Sequence, residues 1–221
     1  MKKAPERGLK GILSRVYKLL EGYFGDLKWW PADSDFEVVV GAVLTQNTAW
    51  RNVVVAIEGL KKHGLMDPVK IHRERTIRLS KIIRSSGYHR LKSIRLKAVC
   101  AFLLDKCGGD LKKMRKEEQH ALRDEILSVK GVGPETADSI LLYAFHKPVF
   151  VVDAYTRRIF YRHGLIREKA SYGEIQTLVH ENFPKDTKAL NQFHALLVET
   201  CKKFCKKRKL LCGECPLGVL K

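Results

Sequence analysis

Four cysteines crowd into the last turns of the chain, in the stretch CKKFCKKRKLLCGEC at 201–215. Cys201, Cys205, Cys212 and Cys215 follow the spacing C-x3-C-x6-C-x2-C. This is metal-ligand spacing for a reducing compartment, unlike the pattern of a secreted disulfide scaffold. Four thiolates so placed could hold an iron–sulfur cluster or a structural zinc ion. Cys201 precedes Cys205 by four residues, so the two share one helical face if the helix persists. Cys100 and Cys107 stand alone on an apolar helical pattern and read as small core residues. Interleaved with the thiols are Lys202, Lys203, Lys206, Lys207, Arg208 and Lys209, a knot of charge suited to phosphates.

A second stretch, LSVKGVGPETADSILLYAF at 127–145, reads as two apolar helices joined by a tight turn. Gly131-Val132-Gly133 accepts positive φ easily. Pro134 suits the first position of the next helix, where its missing N–H costs nothing. Such a turn aims backbone amides and a helix dipole at one point, which is how proteins bind a phosphate. The plainer alternative is an ordinary corner between helices. Glu135 in the first turn could serve only the helix dipole, or could face a ligand. Asp153, in FVVDAYTRR, is a good N-cap. All three tryptophans, Trp29, Trp30 and Trp50, fall early, where they could stack on a ligand or simply fill a core.

Lys and Arg total 42 against 24 Asp and Glu, a net charge of +18. Such an excess points to a polyanion partner, usually nucleic acid, although a solubility surface would also be basic. Arg90, Lys92, Arg95 and Lys97 suggest a second basic face, or a solvated helix side. No stretch is long enough to span a membrane. The start of the chain, broken by Arg15 and Lys18, reads as an amphipathic helix rather than a signal peptide. A cytoplasmic, nucleoid-associated monomer is expected.

The elements that must carry these residues are helical almost throughout. Helical periodicity covers 8–24, a helix after the Ser34/Glu37 capping-box signature, 50–63, a short helix from Asp67-Pro68, and segments near 75–85, 88–106, 117–129, 134–146, 153–163, 171–182 and 185–205. VVVGAVL at 38–44 has strand-like β-branching, but its cap and its lack of a partner strand favour helix. PVFVVDAY at 148–155 reads as an extended connector between two lobes.

LSVKGVGPETA resembles the helix-hairpin-helix of the DNA glycosylase superfamily that includes endonuclease III, and the resemblance spans roughly residues 30–215. It implies an all-α, two-lobed helix-hairpin-helix glycosylase fold with a C-terminal metal-cluster loop. One domain would be a helical barrel of 30–147 with the hairpin. The other would join 1–29 to 148–221 and hold the cysteine loop. Damaged double-stranded DNA would lie across the cleft between them, its phosphates held by Lys130, Gly131, Val132 and Gly133. The resemblance makes Asp153 the catalytic aspartate, stabilising positive charge on the sugar or activating water. Gln46, in VLTQNT, would fill the gap left by the extruded base.

Members of that family that also cut the DNA backbone carry a lysine in the first turn after the hairpin, whose amine forms a Schiff base. Here that position is Glu135, so the resemblance implies a monofunctional base excision repair enzyme. Trp29-Trp30-Pro31 before the glutamine helix and Trp50 after it are similar to the 3-methyladenine glycosylases of bacteria, which also carry glutamate at that position. An alkylated, cationic purine suits such an aromatic pocket; oxidised or deaminated pyrimidines are the alternative substrates, and a non-catalytic DNA-binding module the alternative class. Cys205, Cys212 and Cys215 match the start of the endonuclease III 4Fe–4S motif. The family's fourth cysteine would fall at Lys221, so Cys201 would have to replace it, with zinc as the competing metal.

Overall fold

The computed structural model of the chain describes residues 6–220. Residues 1–5 and Lys221 lie outside the described residues. Among the described residues the chain is all-α, its one β feature an isolated bridge between Cys205 and Leu210. Two compact units result, one of residues 30–147 and the other of 1–29 with 148–221.

The 30–147 unit holds α2 (Asp35–Leu44), α3 (Trp50–Lys62), α4 (Pro68–Arg73), α5 (Thr76–Ile82), α6 (His89–Cys107), α7 (Gln119–Ser128) and α8 (Pro134–Ser139). α2 begins where the Ser34 hydroxyl accepts the Glu37 amide at 3.2 Å. The reciprocal arm of the expected capping box is displaced by one residue. The Glu37 carboxylate accepts from the Asp33 amide and pairs with Lys61 at 3.0 Å, which draws it off Ser34. Every residue of α2 from Phe36 to Leu44 is buried, so its β-branched run is a helix apolar on all sides. α6 packs against α2, α4 and α5. α8 runs on into a π-helical turn at Ile140–Ala144, where the Phe145 amide reaches back to the Ile140 carbonyl at 3.1 Å. The π turn is wholly buried and shifts the register of Tyr143.

The other unit holds α1 (Glu6–Phe24), α9 (Ala154–Arg162), α10 (Tyr172–Asn182) and α11 (Thr187–Lys203). α11 packs on α9 and α1, and α1 packs on α10. The connector 149–152 is not a surface linker: Val149, Phe150, Val151 and Val152 are all buried. Its apolar side chains are what anchor the segment leading to Asp153. The Phe193 ring centres the core, stacked on Phe183 at 4.6 Å and near Phe150, Tyr17 and Phe160. Burying one such ring contributes about 2–3 kcal/mol. α10 opens on a complete capping box, Ser171 with Glu174.

Candidate active site

In the unit of 1–29 with 148–221, Asp153 caps α9. Its Oδ1 accepts the Thr156 amide at 2.7 Å. Its Oδ2 lies 3.6 Å from Nε2 of His194, a buried residue in the middle of α11. Burial acts to raise the Asp153 pKa, but the nearby His194 ring and the Thr156 amide outweigh it and the net shift is downward. The cap therefore uses one carboxylate oxygen and leaves the other facing a histidine. A fixed, ionised carboxylate of this kind can stabilise positive charge on a substrate.

In the 30–147 unit, the structure brings Gln46 and the hairpin together. Gln46 Nε2 donates to the Gly131 carbonyl at 3.2 Å and to the Thr136 hydroxyl at 2.9 Å, and Arg95 donates to its Oε1. Gly131 has φ +91°, and a Cβ there would fall 2.5 Å from the Arg95 side chain. Two separate constraints thus demand glycine at 131. Gly133 is different: its φ is −103° and nothing lies within 4 Å of a Cβ built on it. Val132 is buried and anchors the turn, while Lys130 and Glu135 are exposed.

Trp30 and Trp50 meet edge to face with centroids 5.1 Å apart, and Tyr143 lies 5.2 Å from Trp30. Gly41 makes the room, since a Cβ there would press 3.1 Å from the Trp30 ring. Both tryptophans are half-buried rather than sealed in the core, and Pro31 is exposed. Trp29 belongs to the other unit, where Lys202 Nζ sits 4.9 Å from its ring centre. Tyr143, from the π turn, is an aromatic neighbour of Trp30 that the sequence did not single out.

Lys92 corrects the expected second basic face. It is 1% exposed, and its Nζ donates to the Leu44 and Ser86 carbonyls and the Thr48 hydroxyl at 2.6–2.9 Å. It ties the end of α2 to the start of α6. Lys97 also turns inward, to the Glu74 carbonyl.

Residues 40–185 match the family described as HhH-GPD superfamily base excision DNA repair protein. The chain belongs to this superfamily. A Methanocaldococcus jannaschii protein, named as a candidate DNA repair glycosylase, is 49% identical over 93% of this chain and 94% of its own length. Endonuclease III of Sulfolobus acidocaldarius is 26% identical, covering 82% of this chain and 79% of the relative. Among solved structures, a trapped endonuclease III–DNA covalent intermediate superposes with a TM-score of 0.82, covering 96% of this chain and 94% of that one at 24% identity. H. pylori 3-methyladenine DNA glycosylase bound to 1,N6-ethenoadenine gives 0.72 at 29% identity, covering 86% and 95%. This HhH-GPD protein is a base excision repair DNA glycosylase.

The thiols of Cys201, Cys205, Cys212 and Cys215 are the candidate metal ligands of this glycosylase. Among the described residues, no three of them converge on one point as a single ion requires. Cys205, Cys212 and Cys215 instead stand around a cavity of about 160 Å³, walled by Ile159, Phe204 and Leu217. Cys201 lies beside Cys205. The neighbouring Cys205 and burial push the Cys201 thiol up, while Cys201 and Arg162 hold the Cys205 thiol below its ordinary value. Arg162 donates to the Cys205 sulfur at 3.1 Å. Gly218 is needed because a Cβ would collide with the Cys212 carbonyl at 2.3 Å.

Proposed function

We propose that this glycosylase is monofunctional and hydrolyses the N-glycosidic bond of an alkylated purine, 3-methyladenine foremost. The observation that carries the reading is Asp153, an aspartate 9% exposed yet held ionised at the start of α9. The bond between C1′ and the base nitrogen breaks, and its electron pair leaves with the base. A base that is already cationic departs neutral and needs no proton from the protein. The sugar acquires oxocarbenium character, which the Asp153 charge stabilises. Water adds to C1′ and gives its proton to the open Asp153 oxygen and then to solvent.

Glu135 supports the monofunctional reading, because a carboxylate cannot form the Schiff base that a lysine would form there. The half-buried pair Trp30 and Trp50, with Tyr143, supports a cationic base, since such a base is attracted to aromatic faces. The H. pylori relative, a 3-methyladenine glycosylase by name, points the same way. The Gly131–Gly133 turn with Lys130 would take a DNA phosphate at the dipole end of α8. Gln46, already tied to that turn, would stand in for the flipped base. Cys201, Cys205, Cys212 and Cys215 would hold a 4Fe–4S cluster, which when bound supplies a rigid crosslink for the loop carrying Lys206–Lys209.

The test is a panel of duplexes containing 3-methyladenine, uracil, a T·G mismatch or an oxidised pyrimidine. Release of 3-methyladenine with strand breaks only after alkali, and no borohydride-trapped complex, is expected. Release of an oxidised pyrimidine with trapping would overturn both the lesion and the monofunctional assignment.

A further inference from the structure

We infer that His194 is a positioning residue that acts through Asp153, fixing the orientation of its second carboxylate oxygen. The inference rests on the reading of Asp153 as the catalytic carboxylate. The two Asp153 oxygens are not equivalent. Oδ1 is committed to the Thr156 amide, as the N-cap of α9 requires. Only Oδ2 is left to face substrate, and that is the oxygen 3.6 Å from His194 Nε2. Both residues are buried, with side-chain exposures of 12% and 7%, so the pair is little screened by water.

The fold fixes this approach from two sides. The Asp153 backbone is held by the buried connector 149–152. His194 is fixed in α11 by its flanking residue Phe193, the hub of the aromatic core, and the edge of Phe150 lies 6.3 Å from its ring. What histidine adds here is a ring nitrogen set against Oδ2 from the neighbouring helix.

Other titratable groups surround the pair. Tyr155 of α9 is pushed up by burial and then by the Asp153 charge. Cys201 of α11 also feels that charge. From α10, His180 accepts the Phe150 amide and Tyr172 accepts the Val152 amide. From α1, Tyr17 is bonded to Glu21. Of these, only His194 has a ring nitrogen placed against Asp153 Oδ2.

The experiment is single-turnover base release by wild type, His194→Gln, His194→Leu and Asp153→Asn, on the 3-methyladenine duplex or, should it be inert, on the panel duplex released fastest. Uncatalysed loss is subtracted, and circular dichroism checks folding. His194→Gln keeps an amide donor, so it should stay within about threefold of wild type. His194→Leu should be slower by about tenfold or more, and that split between the two variants is what a merely space-filling role would not give. If both His194 variants match the wild-type rate while Asp153→Asn is inactive, the inference is overturned and the catalytic reading stands. A fully active Asp153→Asn, or a wild type inert on every duplex, overturns both.

Discussion

A side chain's role in this glycosylase depends on which of its atoms are already committed. Gln46 spends its amide on the hairpin and its carbonyl oxygen on Arg95, so a wedge that enters DNA must first exchange these bonds. Gly131→Ala tests that arrangement. An alanine at φ +91° is strained and would displace Arg95, costing about 1–2 kcal/mol, read as a lower urea midpoint, and weakening DNA binding. Gly133→Ala, in open space at negative φ, should leave the midpoint nearly unchanged. Glu135 is exposed in the first turn of α8, the position at which the family resemblance implies a lysine in members that cut the DNA backbone. Glu135→Lys is expected to give a borohydride-trapped complex on damaged DNA that the wild type does not give. Absence of any trapped product would mean that the position does not reach the sugar.

At the scale of elements, the buried ammonium of Lys92 joins α2, the turn after it and the start of α6. Lys92→Met would strand the Leu44 and Ser86 carbonyls without a donor and should cost about 2–4 kcal/mol in urea unfolding. Burial first, and then Arg95, push Lys92 down to about 8 from an ordinary 10.5. The unfolded chain therefore binds more protons than the folded one between those values. The charge penalty is present below pH 8 and is relieved as pH rises toward 10.5. Wild-type stability should accordingly rise with pH across that window relative to Lys92→Met, and equal slopes for the two proteins would contradict the assignment. This element also shows how far the sequence could be read. Helix positions followed from periodicity and caps, as with Asp67-Pro68 and the Ser34 cap, because those signals are local. Lys92 looked like a surface base because charge patterning carries no burial. His194, within the apolar run NQFHALLV, was passed over for a related reason. A polar residue on a buried face was visible, but its partner lies 41 positions earlier (194 − 153) and only folding brings them together. Tyr143 was hidden by the π turn, which breaks the 3.6-residue register that sequence patterns assume.

For the whole molecule, the net charge of +18 and the loop that carries Lys206, Lys207 and Lys209, all exposed, predict strongly salt-dependent DNA binding. Replacing those three lysines with glutamine should flatten the slope of log K against log salt by roughly two to three, similarly for damaged and undamaged duplexes. The thiol cavity predicts protein that is brown as isolated, with iron and sulfide that are lost in Cys212→Ala; a colourless, zinc-containing protein would contradict the cluster. Both properties would serve an enzyme that finds and removes damaged bases, and that claim turns on one carboxylate. The most direct measurement is free base released in a single turnover from a 3-methyladenine duplex by wild type and by Asp153→Asn, with DNA affinity and unfolding measured alongside. The account predicts that Asp153→Asn binds the duplex and folds as the wild type does but releases base at least about a hundredfold more slowly. Equal rates from the two proteins would contradict it.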